Sequence, residues 1–305
     1  MALPQSGIFA LGTVAHTYLE LDLREDADAG ALASAVAQLC ASRTTMGGVN
    51  QVAGFRPDLW RRLSPSTTPP DLSGFDEPVT GRDGFTMPAT QHDVVLWVAG
   101  GSYDVVFDAV LLALARLDPH ARLASETAGW TYHRDLDLTG FIDGTENPVL
   151  SVAPTQVLVP EGRPGAAGSV LLLQRWGHDS AAWTALGAAG QEQVMGRTKA
   201  ASVELDDKPE TSHVARTDQD TYGHILRRNV AYGTVSDHGT MFVGFAASRG
   251  PLAAMLDSMA GVDGPRDALT RYTTPLSGAY YFVPSTDDLA ALAPEPDEPD
   301  EPDVH

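Results

Sequence analysis

The chain has 305 residues, 43% of them apolar, and a net charge of −20. That is enough to bury one large core or two ordinary ones. No run of about 18 apolar residues offers a membrane span, and the acidic balance excludes the basic footprint of a nucleic-acid binder. The single cysteine, Cys40, excludes an internal disulfide or a cysteine metal cluster. The first basic residue is Arg24, so the N-terminus lacks the charged region of a secretory leader and points to the cytoplasm.

In chain order, residues 15–23 alternate as a strand and are followed by an Ala/Leu-rich helix with aspartates at its start, where the helix dipole favours acids. Residues 91–100 read as a buried strand. The helix after it is amphipathic, with Ser102 as N-cap. The polar stretch 64–78 reads as a surface loop, and 159–168 as a second linker. The second half repeats the order: a strand at 168–176, a helix over 179–196, a strand at 239–247, and a helix opened by Pro251 and closed by Gly261. This predicts an α+β fold built from a duplicated unit, each an antiparallel sheet with helices on one face. The division is 1–135, 136–286 and an acidic, proline-rich tail at 287–305 that lacks the apolar residues to fold.

Phosphate loops, His-Glu-x-x-His, Cys-x-x-Cys and Gly-x-Ser-x-Gly are absent. Three stretches carry the chemistry that remains. Residues 140–148, GFIDGTENP, bracket Asp143 with glycines at the joint between the halves, a natural place for a large pocket. His213 stands in KPETSHVAR, where a lone histidine is more often a cap or surface group than a ligand. In RRNVAYG, strand alternation puts Arg227 and Asn229 on one face and Arg228 on the other, with Arg228 solvated.

These three stretches, in this order, resemble the dye-decolourising peroxidase family. GFIDGTENP matches its Gly-x-x-Asp-Gly signature, SHVAR is similar to its proximal-histidine segment, RRNVAYG to its distal Arg-x-Asn strand, and TPLSGAYYFVPS to its closing strand. Short loops and the absent leader resemble the compact intracellular (B-type) branch. The chain departs from the pattern at Arg228, Val230 and Ala231, where relatives usually have His, Met and Pro, and in a slightly short segment from His213 to Arg227.

The resemblance implies paired ferredoxin-like units of the dimeric α+β barrel type, with haem between them. One haem b per chain is expected, its iron held by His213, with Asp267 accepting from the other ring nitrogen. Asp143 would move the proton and Asn229 orient peroxide. Arg227 would stabilise charge and hold a propionate, and Ile142, Gly144 and Thr145 would line the cofactor. Hydrogen peroxide would be reduced through an oxoferryl intermediate, and dyes, phenols or similar one-electron donors oxidised. A homo-oligomer, dimer to hexamer, is expected. The acidic tail does not resemble the tag that loads relatives into encapsulin shells, so cargo loading is not expected. Two alternatives stay open: a haem- or iron-handling protein with incidental peroxidase turnover, and a scaffold without haem.

Overall fold

The computed structural model describes residues 2–41 and 48–293. After a short turn at Ser6–Ile8 come β1 (Ala15–Leu23), α1 (Ala29–Leu39), β2 (Val49–Phe55) and α2 (Pro57–Leu63). A small hairpin, β3 (Val79–Thr80) with β4 (Thr86–Met87), leads into β5 (Val94–Gly100), α3 (Tyr103–Leu117) and β6 (Ala121–Trp130). The second half begins with α4 (Ala153–Val157), β7 (Ser169–His178), α5 (Ser180–Ala185), α6 (Gly187–Met195), α7 (His213–Arg216) and α8 (Gln219–Tyr222). It ends with β8 (Leu226–Arg227), β9 (Val230–Gly233), β10 (His238–Ala246), α9 (Arg249–Ala260), β11 (Thr273–Pro275), β12 (Ala279–Val283) and α10 (Thr286–Ala290).

Local chemistry accounts for the ends of these elements. Asp28 accepts from the Ala31 amide at 2.8 Å and starts α1. Gly261, in the left-handed region, stops α9. Ser102 sits at the N-cap of α3, but its hydroxyl bonds the Asp104 carboxylate instead of a backbone amide. The stretch 179–196, expected as one helix, divides at Gly187, whose φ is +66°.

The sheet does not divide in two. Its order is β7–β12–β2–β5–β1–β6–β9–β10, and β10 pairs back with β7, so the strands close on themselves. Every pairing is antiparallel. The halves meet at two thin seams: Phe282 against Phe55, and the pairs Gly129–Tyr232 and Trp130–Ala231. The expected separate sheets are thus one closed, barrel-like α+β sheet. Closure covers both faces of β5, which explains its unbroken apolar run: Val95 and Trp97 join the interior cluster, Val94, Leu96 and Val98 the layer under the helices.

Two boundary readings change. The loop 64–78 is not all surface, because Leu72 and Phe75 are buried and Phe75 packs on Tyr280 with ring centres 5.2 Å apart. The tail does not begin at 287, because Ser285 caps α10 and Leu289 is buried. The acidic run from 294 lies outside the described residues.

Candidate functional site

Along β8 and into β9 the side chains alternate. Leu226 and Val230 join the barrel interior, while Arg227 and Asn229 face a cavity on the opposite, helix-covered side. The cavity lies between β7, β10 and helices α7 and α9. Its apolar lining includes Leu172, Phe242, Leu252, Met255, Leu256 and Met259, and it holds about 780 Å³ of space, some of it open to solvent.

His213 enters the cavity as the first residue of α7, fixed because the Ser212 hydroxyl caps that helix through the Ala215 amide. Its Nδ1 lies 2.7 Å from Asp267 Oδ2. Asp267 is fully buried, and its other oxygen accepts from the Leu269 amide at 2.8 Å. With Nδ1 donating to a buried carboxylate, Nε2 keeps its lone pair for a ligand.

The Asp143 loop lies outside this cavity and reaches a second one, which Arg227 and Asn229 also line. Gly140 and Gly144 have φ of +82° and +71°, which explains the bracketing glycines. Each acidic or amide side chain of the motif then has a partner. Asn229 Nδ2 donates to Asp143 Oδ1 at 3.0 Å, and Asn229 Oδ1 accepts from the Val243 amide at 3.0 Å. Glu146 pairs with Arg197 at 2.6 Å. Asn147 accepts from the Arg227 amide and donates to the Arg227 carbonyl, both at 2.8 Å. Arg227 Nε is buried without a partner among the described residues. The Asn229 amide is thereby held between the Asp143 carboxylate and the Val243 amide.

Two further residues belong to the site. Asp137 lines both this cavity and a second, polar one that also reaches Asp143, Arg227 and Asn229. Burial pushes its carboxyl up to about 6, and the neighbouring Asp143 charge adds to the shift. Asn147 clamps Arg227. Nothing in the local pattern marks either, since one acts through burial and the other through a contact 80 residues away. Ile142, Gly144 and Thr145 line neither cavity, and Ile142 and Thr145 are exposed.

Arg228 also departs from expectation. It is buried, not solvated, with its guanidinium 5.1 Å from the Trp97 ring centre. It donates to the carbonyls of Gly7, Ile8 and Ala10. No metal-binding group of three His, Cys, Asp or Glu is present among the described residues. None of their helices is long and apolar enough to cross a membrane.

The model of the Dyp-type peroxidase C-terminal family matches residues 134–288, the span that holds all these site residues. A dye-decolorizing peroxidase of Rhodococcus erythropolis is 35% identical over 258 residues, covering 81% of this chain and 75% of that protein. A dye-decolorizing protein from Vibrio cholerae superposes with a TM-score of 0.85 at 32% identity, over 94% of this chain and 99% of that one. A DypB variant from Rhodococcus jostii RHA1, solved in complex with haem, does so with a TM-score of 0.86 at 30% identity, over 95% and 99%. With half its length matched by the family model and relatives a third identical along most of theirs, the chain belongs to the Dyp-type peroxidase family.

Proposed function

We propose that the chain reduces hydrogen peroxide with one haem b held between His213 and the Asp143–Arg227–Asn229 wall, and oxidises dyes, phenols or similar aromatic donors. The observation that carries the reading is the His213–Asp267 pair at 2.7 Å on an apolar cavity that Arg227 also lines, its buried Nε without a partner among the described residues. A flat apolar macrocycle with anionic edges suits that lining, and a basic imidazole suits its iron. When bound, haem supplies the two electrons that peroxide takes up.

The residues do the rest. His213 would ligate the iron through Nε2, with Asp267 keeping its imidazole basic and oriented. Asp143, aimed by Asn229, would take a proton from one oxygen of peroxide and give it to the other, which leaves as water. Arg227 would hold the negative charge on the departing oxygen and pair with a propionate. Ile142, Gly144 and Thr145 contribute through the shape of the loop.

The finer architecture belongs to the same reading. The orders β6–β1–β5–β2 and β12–β7–β10–β9 match strand for strand. They support two ferredoxin-like units divided near residue 135; the compact cytoplasmic branch and a homo-oligomer complete the proposal. The test is His213→Ala, purified with haem supplied. We expect the variant to lose the Soret band of the ligated iron while keeping its far-UV circular dichroism. An unchanged Soret band would place the ligand elsewhere.

A further inference from the structure

Four of the described residues line both cavities: Asp137, Arg227, Asn229 and Thr240. Together they form the partition between the apolar cavity that His213 enters and the polar cavity that Asp143 reaches. The polar one opens outward, since its lining includes the exposed residues Leu11, Gly12, Arg134 and Asp135. Of the four, only Asp137 can gain and lose a proton near neutral pH, because guanidinium, amide and alcohol groups do not titrate there. Its carboxylate is held in place: Oδ1 accepts from the Thr139 amide at 2.8 Å and from the Thr139 hydroxyl. Oδ2 takes part in neither bond, which leaves it to carry a proton.

Peroxide takes up two electrons and two protons to become two waters. The proton that Asp143 moves is already on peroxide, so the first water needs no supply from outside. The second water needs two electrons from the donors and two protons from solvent. Resting on the peroxidase reading above, we propose that Asp137 is the relay that passes these two protons, one after the other, from the polar cavity into the apolar one, where the second water forms. It gives its Oδ2 proton inward and is reprotonated from the polar cavity after each transfer, so no charge stays behind on the carboxylate. Burial raises its pKa to about 6, against the Thr139 bonds and with the Asp143 charge, which suits a group that must both hold and release a proton. The other groups fail on place or charge. His213 and His178 line the apolar cavity alone, where His213 would be committed to iron and burial keeps His178 neutral, its pKa lowered to about 4. His16, Tyr132, Asp135 and Asp143 line the polar cavity alone, and Arg134, Arg227 and Arg228 keep their protons.

Stopped-flow on the full-length, haem-loaded protein separates the two phases, with peroxide mixed first and a small phenol second. Asp137→Asn keeps an oxygen for the Thr139 bonds but carries no acidic proton. Its phenol phase falls by roughly 10²-fold relative to its peroxide phase, and Asp137→Glu, which restores an acid at the same place, recovers roughly tenfold or more of that loss. Infrared titration of the same haem-loaded proteins gives a readout independent of turnover. Wild type shows a carboxylic C=O stretch that disappears as pH rises through about 6, and Asp137→Asn lacks it. Two phases slowed in equal proportion, a Glu variant as slow as the Asn variant, or infrared titrations of wild type and Asn variant without that difference overturn the relay. A wild type with no peroxide phase rejects the peroxidase reading itself, and the relay with it.

Discussion

Asp143 and Arg227 differ in what surrounds them. The Asp143 carboxylate accepts from the Asn229 amide, and water could carry a proton in its place. The Arg227 backbone is clamped by Asn147 and its Nε is buried without a partner among the described residues, so no neighbour there stands in for its charge. A preorganised charge in a desolvated site is usually the larger contribution. We therefore expect Arg227→Leu to slow peroxide reduction by roughly 10²–10³-fold, and Asp143→Ala by a smaller factor. Stopped-flow rates in the opposite order would reject this ranking. Asp143, His213, Arg227 and Asn229 stand in stretches that motif and order single out, and Asp267 was reached only as the carboxylate that a ligating histidine would need. Asn147 and Asp137 were not. Asn147 acts on a backbone 80 residues away, and Asp137 through the burial that only the packed loop creates. Arg228 was misread for a similar reason, because its partners are carbonyls of residues 7–10 that close over it.

The loop 140–148 behaves as one element, stapled to β8 by Asn147 and to β9's lead-in by Asp143. Gly144 is where that staple is most exposed to disruption. Its φ is +71°, and an added Cβ would stand 2.6 Å from Asn147 Nδ2. Gly84 has a similar φ of +72° but nothing within 4 Å of an added Cβ. Both glycine-to-alanine changes pay the left-handed backbone penalty of about 1–2 kcal/mol. Only Gly144→Ala should also lose the Asn147 clamp, worth about 1–3 kcal/mol more, and with it much of the peroxidase rate. Urea midpoints for the two variants check this, and equal losses would mean that the clamp contributes nothing. Elements were legible where one period dominates. β1, β5, β7, β10, α1, α3 and α9 show a clear apolar pattern. β2, with Asn50 and Gln51, and β6, with polar residues through its centre, pair by backbone bonds without an apolar signature. Closure of the sheet was legible only through the family resemblance and not from the apolar pattern, because the Phe282–Phe55 seam joins residues 227 positions apart.

Closing the sheet traps polar groups inside the barrel, and this gives the molecule a dependence on pH. His16 is buried there, with Nε2 3.2 Å from the Thr13 carbonyl and Nδ1 accepting from Trp97 Nε1 at 3.2 Å. Burial, with the Arg228 charge adding to it, lowers its pKa from 6.5 to about 4. The unfolded chain therefore binds this proton first as the medium is acidified. The stability contributed by neutral His16 is complete above pH 6.5 and lost as pH falls toward 4, by about 3 kcal/mol at most. Glu20 acts in the opposite sense. It is buried beside the Tyr281 hydroxyl at 2.7 Å, and burial raises its pKa, so acidification relieves a penalty. In His16→Gln one part of the destabilising arm disappears, while His178, whose pKa burial likewise lowers to about 4, keeps its own and the relieving arm remains. Unfolding free energies measured by urea titration from pH 7 to pH 4 should fall more steeply in wild type than in the variant, with most of the divergence below pH 6.5. Parallel curves would show that His16 is protonated in the folded barrel as readily as in the unfolded chain, and that the interior is wetter than its packing implies.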